Sequence, residues 1–162
     1  MSVALPPAVI GIGNEYRGDD AAGLLVVRAL RATGATPGWD LLELSGEGAG
    51  LMDAWAERPG VVLVDAVALA GSPAGAVLRY DDPAALPPDT ELRCSSHAFG
   101  VGAALALAKV LGRLPPALVL YGINGQAFAQ GATMSPAVGD AVTRVARDIG
   151  RAIASGEWKI HA

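Results

Sequence analysis

Two aspartates and a histidine are the residues whose chemistry stands out in this sequence. Asp20 follows a glycine-rich segment, GIGNEYRGDD, Asp65 lies near the end of the apolar run VVLVDAV, and His97 lies in CSSHAFG. Two carboxylates and an imidazole form a mixed oxygen and nitrogen donor set, which suits nickel or zinc and leaves coordination positions open. No short ligand motif links the three residues, so their spacing alone does not decide between a metal site and separate structural roles.

Each of these residues also has a structural interpretation. Asp19 and Asp20 can cap the helix that follows them, and Asp65 can form a turn after its strand. His97 can be an ordinary loop residue, and Cys94, three positions before it, fits either packing or a metal. Between the two acids, we assign Asp20 to the site and Asp19 to loop structure or capping. Replacing Asp19 by Asn is then expected to cost only about 1 kcal/mol of stability and to spare most activity.

The glycine-rich segment also resembles part of a dinucleotide-binding loop, GxGxxG. Tyr16 stands where the third glycine would be, and the loop is several residues too long. Asp19 and Asp20 would oppose a phosphate at the helix N-terminus, where positive potential is needed. Glu43 could stand for the acid that binds a ribose, but alone it is a weak signal. A nucleotide site is therefore disfavoured.

The elements that must position these residues alternate between strands and helices. Strands are predicted over residues 8–12, 39–44, 60–67, 75–80 and 117–123, and helices over residues 19–33, 49–57, 98–111 and from Ser135 onward. This alternation predicts an α/β fold, a three-layer αβα sandwich with a largely parallel twisted sheet of about five strands. With the first strand between the second and the third, the sheet has a topological switch point where ligands of such folds bind.

Composition limits the class of protein. The 162 residues are 52% hydrophobic with a net charge of −4, which argues against nucleic acid or an anionic membrane as the main partner. No apolar stretch has the length of a membrane span, and the N-terminus does not resemble a signal peptide. A single cysteine excludes internal disulfides and CxxC motifs. These features predict one domain over residues 1–162, cytoplasmic and monomeric.

Four motifs, in order along the chain, resemble those of the hydrogenase maturation proteases. They are GIGNEYRGDDAAG, VVLVDAV, SSHAFG and YGINGQAFAQGATMSPAV. The resemblance implies an aspartic-type, nickel-dependent endopeptidase that removes the C-terminal extension of a nickel-loaded hydrogenase large-subunit precursor. Nickel would then arrive within that precursor and serve as the recognition element. The alternative is a non-enzymatic α/β module that binds nickel or a nucleotide.

The same resemblance implies roles for individual residues. The family's metal-binding residues fall on Asp20, Asp65 and His97, and its catalytic carboxylates on Asp20 and Asp65. Many members have Glu where this chain has Asp20, so a shorter side chain must serve there. Hydrolysis through a metal-polarised carbonyl and hydrolysis through a carboxylate-activated water both remain open.

Overall fold

The computed structural model describes residues 3–81 and 100–158 and contains a five-stranded sheet with helices on both faces. The strands are β1 (Ala8–Ile12), β2 (Asp40–Leu44), β3 (Gly60–Val67), β4 (Val77–Tyr80) and β5 (Ala117–Asn124), and the helices are α1 (Ala22–Thr33), α2 (Gly48–Trp55), α3 (Val101–Leu111) and α4 (Pro136–Ser155). The predicted α/β class and strand number are confirmed. The predicted start of the third helix, at Ala98, lies outside the described residues.

The sheet order is β2-β1-β3-β5-β4, so β1 lies between β2 and β3 as expected, while the central strand of the five is β3. β1, β2, β3 and β5 are parallel, and the short edge strand β4 runs antiparallel to β5. β3 is buried along its whole length, as its continuous β-branched sequence predicts for a strand covered on both faces. The chain passes from β1 to β2 on one side and then to β3 on the other, which creates the switch point.

Two hydrophobic core clusters cover the two faces of the sheet. One packs α1 and α4 against alternate residues of the strands, including Val62, Val64 and Tyr121. The other packs α2 and α3 against the intervening residues, including Val61 and Leu63. In the described part of the chain, no helix combines the length and the apolar character needed to cross a membrane.

The start of the first helix differs from the sequence prediction. The helix expected to begin at Asp19 or Asp20 starts instead as a 3-10 turn, Gly18–Ala21, and α1 follows from Ala22. No side chain caps either the turn or α1. The capping interpretation of the two aspartates is therefore wrong, and their burial needs another explanation.

Candidate active site

The site lies where β1 and β3 separate. β1 pairs with β3 only as far as Gly11 opposite Val64, whereas β3 continues beside β5 to Val67. Beyond Ile12 the chain turns away into the 3-10 turn that carries Asp20. Asp65 is in the part of β3 that extends past its pairing with β1, so the switch point brings the two aspartates to one edge of the sheet.

Asp65 is a buried carboxyl group in an apolar strand. It is 7% exposed, and its position in the strand alternation puts it on the same face as Val61 and Leu63. Its Oδ1 atom is buried and has no hydrogen-bond partner in residues 3–81 and 100–158. Burial, and then the negative charge of Asp20, raise the pKa of Asp65 to about 8, against the opposing effect of the Ala66 backbone amide.

Backbone hydrogen bonds fix the position of Asp20. It is 2% exposed, its N–H donates to the Arg17 carbonyl at 3.0 Å, and its carbonyl accepts from the Asn14 N–H at 3.3 Å. Gly13 has a φ of +156°, and a Cβ atom there would lie 1.9 Å from the Asp20 carbonyl oxygen. The second glycine of the GIG segment is therefore required by close approach to Asp20, and not by a phosphate.

Two buried carboxylates within each other's field are oxygen donors of the kind that a divalent cation binds. Repulsion disfavours two ionised carboxylates together, and a cation between them reverses that effect. No group of three His, Cys, Asp or Glu side chains in the described ranges could hold a metal ion. His97 and Cys94 lie outside those ranges, so the structure does not test their placement near the two aspartates.

Asp19 has a role in loop structure, which is one of the two roles assigned to it from the sequence, but its partners are not indicated by the sequence. It is fully buried, and its carboxylate accepts four hydrogen bonds, from the N–H groups of Gln126 and Ala127 (both 2.9 Å) and from the N–H (2.7 Å) and hydroxyl (2.8 Å) of Ser135. Burial alone would raise the pKa of Asp19, but these donors leave it below its usual value. Because Asp19→Asn disrupts a four-donor site and not a helix cap, we now expect it to cost more than about 1 kcal/mol of stability.

Ser135 illustrates the same long-range contact. It is the N-cap residue of α4 with Pro136 next to it, but its hydroxyl makes no capping hydrogen bond. That hydroxyl donates instead to Asp19, 116 residues earlier in the chain. Local spacing carries no signal for such a contact, which is why sequence reasoning missed it.

A cavity of about 330 Å³ lies beside the 13–17 loop, between the carboxyl ends of β1 and β2, and the exposed Tyr16 is at its rim. Glu43 lines this cavity together with Glu15, and Arg28 forms ion pairs with both (2.8 and 3.3 Å). Another cavity, of about 800 Å³, is lined mainly by residues that precede β1, β3 and β5, at the amino edge of the sheet.

Comparison with known proteins identifies the family. The family model of the hydrogenase maturation proteases matches residues 24–152, a segment that includes Asp65 and His97 and begins shortly after Asp20. No curated protein matches the chain.

Solved structures show the same fold. The hydrogenase maturation protease HycI from Thermococcus kodakarensis is 23% identical, covers 93% of each chain and has a TM-score of 0.67. The maturating endopeptidase HybD from Escherichia coli is 20% identical over 93% of this chain and 94% of its own, with a TM-score of 0.72. An endopeptidase from Escherichia coli is 22% identical with the same coverage and a TM-score of 0.76. The chain belongs to the hydrogenase maturation protease family, whose members are endopeptidases.

Proposed function

We propose that this chain removes the C-terminal extension of a nickel-loaded hydrogenase large-subunit precursor and recognises the nickel through Asp20, Asp65 and His97. The observation that carries the proposal is the pair of buried aspartates at the switch point, where the Oδ1 atom of Asp65 has no hydrogen-bond partner among the described residues. Membership of the family supplies the reaction and the substrate class.

Recognition of nickel follows from a difference in affinity. Without nickel, a proton on Asp65 relieves the repulsion between the two buried carboxyl groups, whereas a nickel-loaded precursor brings a cation that replaces this proton. The metal thus belongs to the substrate, and its coordination by this chain reports that the precursor has been loaded. The imidazole of His97 would add the nitrogen ligand that nickel favours.

His97 enters the proposal through its place in the sequence. It precedes the start of α3 at Val101 by four residues. A neutral imidazole must donate its lone pair to the metal, so protons compete with nickel for that nitrogen. His97→Ala is expected to remove most of the affinity for loaded precursor.

Peptide hydrolysis needs a water molecule added to the scissile carbonyl and a proton delivered to the departing amine. A carboxylate of Asp20 or Asp65 can take the proton from water, and nickel in the precursor can polarise the carbonyl. Both chemistries use the same two aspartates. The 330 Å³ cavity beside the 13–17 loop offers space for the precursor chain on the β2 side of Asp20.

The proposal includes the setting of the reaction. Residues 1–162 would act as one domain, since both core clusters pack on the same sheet. The chain would work as a monomer in the cytoplasm, in keeping with its single cysteine. Light scattering coupled to size-exclusion chromatography measures the oligomeric state.

The decisive experiment is incubation with purified precursor, with and without nickel, followed by mass determination of the large subunit. We expect cleavage of the nickel-loaded precursor only, and its loss in Asp20→Asn and Asp65→Asn. Asp53→Asn is the matched control, because Asp53 is an exposed carboxylate on α2. Binding of nickel or ATP in equilibrium dialysis without cleavage of any precursor would favour the non-enzymatic alternative.

A further inference from the structure

Asp19 lies next to a proposed ligand, but its carboxylate takes its hydrogen bonds from a distant part of the chain. Its four hydrogen bonds come from residues 126, 127 and 135, at the two ends of the loop between β5 and α4. Its own N–H donates to the Ala127 carbonyl at 2.8 Å. Asp19 therefore joins the 3-10 turn to this loop both as a hydrogen-bond donor, through its N–H, and as an acceptor, through its carboxylate.

Close packing makes the attachment rigid. Gly18 has a φ of +53°, and a Cβ atom there would lie 2.2 Å from the Ala127 carbonyl oxygen. A Cβ atom on Gly125 would lie 2.7 Å from the Asp19 Cβ atom. Both glycines allow the turn and the loop to approach more closely than any other residue would permit.

The same loop is also attached to the strand that carries Asp65. The N–H of Gly125 donates to the carbonyl of Val67, the last residue of β3, at 2.8 Å. One residue, Ala66, lies between Asp65 and Val67, and one peptide bond joins Asp19 to Asp20. A continuous path of short contacts thus runs from Asp20 through Asp19 and residues 125–127 to the end of β3.

We propose that Asp19 is a positioning residue that fixes Asp20 relative to Asp65 through the loop between β5 and α4. Its expected effect on nickel binding and precursor cleavage rests on the proposed function. A carboxylate suits the role because all four contacting groups are donors. An amide would turn an NH₂ group toward at least one of those donors, so Asp19→Asn loses hydrogen bonds in either orientation.

Graded variants test the proposal. We expect Asp19→Asn to lower the affinity for nickel chloride and kcat/KM for nickel-loaded precursor by about 10- to 100-fold, as loss of a group that orients a metal ligand does. Ser135→Ala removes one donor and should cause a smaller loss, and Ser135→Thr should restore activity because it keeps the hydroxyl. Asp148→Asn is the control for stability, since Asp148 also accepts hydrogen bonds from side chains but lies far along α4.

Crystal structures separate this inference from the proposed function. We expect the Asp20 carboxylate to move relative to Asp65 in Asp19→Asn, while Asp148→Asn leaves it in place. Superimposable Asp20 and Asp65 carboxylates in Asp19→Asn, together with unchanged nickel affinity, would overturn the positioning role. If Asp19→Asn does not fold, Ser135→Ala decides by the same measurements. Should the wild type neither bind nickel nor cleave precursor while Asp20 still moves, the proposed function is wrong and the positioning role stands.

Discussion

The raised pKa of Asp65 makes the stability of the folded chain depend on pH. Because burial and the charge of Asp20 raise its pKa to about 8, the folded chain holds a proton that the unfolded chain releases near pH 4. The folded state therefore binds more protons between these values, and the contribution of Asp65 to stability falls as pH rises from about 4 to 8. We expect metal-free wild type to lose stability over this window relative to Asp65→Asn, as measured by urea unfolding at several pH values.

The comparison with Asp65→Asn isolates this group, because all other titrating groups are common to both chains. Asp53→Asn, at an exposed position, should follow the wild-type pH dependence. A constant difference in unfolding free energy between wild type and Asp65→Asn from pH 4 to 8 would contradict the raised pKa.

Sequence reasoning found the residues whose identity is unusual for their setting. Asp65 stands in a run of buried apolar residues, where a carboxylate needs a reason. Asp19 and Asp20 are identical neighbours, and their different roles depend on a loop more than 100 residues away. Such a difference depends on tertiary contacts, which hydrophobic periodicity and spacing do not encode.

Among the elements, the contact between α1 and the sheet is the closest. A Cβ atom on Gly23 would lie 2.3 Å from the Val64 carbonyl oxygen and 2.5 Å from that of Ile12. We expect Gly23→Ala to destabilise the chain by about 3 kcal/mol, because backbone atoms cannot move aside as a flexible side chain can. Chemical denaturation measures the loss, and precursor cleavage should also fall because α1 directly follows Asp20 and Ala21.

Gly139 provides the matched control on α4. Nothing lies within 4 Å of a Cβ atom at this helical position, and its φ is not positive. Gly139→Ala should therefore stabilise the chain by about 0.5–1 kcal/mol through helix propensity. Equal effects of the two alanine substitutions would show that the β1–α1 contact is looser than described.

The sequence predicted helices and strands best where a hydrophobic pattern extends over many residues. α4 has a clear period with arginines on its outer side, and β3 and the end of α1 at Thr33 were correctly expected. The 3-10 turn before α1 was not predicted, since its conformation follows from the contacts of Gly18 and Asp19 with Ala127. The antiparallel direction of β4 likewise depends on pairing with β5, which the strand's own residues do not specify.

Across the whole molecule, a polar network around Arg79 lies on the face of the sheet opposite to that of Asp65. Arg79 forms ion pairs with Asp81, Asp148 and Glu157, and Tyr121 donates a hydrogen bond to Asp148. The guanidinium also lies 5.6 Å from the ring centroids of both Tyr121 and Trp158. Arg79 therefore joins β4, β5, α4 and the segment after α4, on the face that α1 and α4 cover.

Strand alternation puts Asp65 on the opposite face from Tyr121, so loss of Arg79 should affect stability and not chemistry. We expect Arg79→Met to cost about 2 kcal/mol, because the partly buried Asp148 loses a cationic partner while the apolar stem is kept. Urea unfolding measures this loss, and Arg147→Met, at an exposed position on α4, should stay within about 0.5 kcal/mol of wild type. Cleavage of nickel-loaded precursor per folded molecule should be unchanged in Arg79→Met. A large fall in kcat with stability intact would instead mean that the two faces of the sheet are coupled and that the site extends beyond the carboxyl edge.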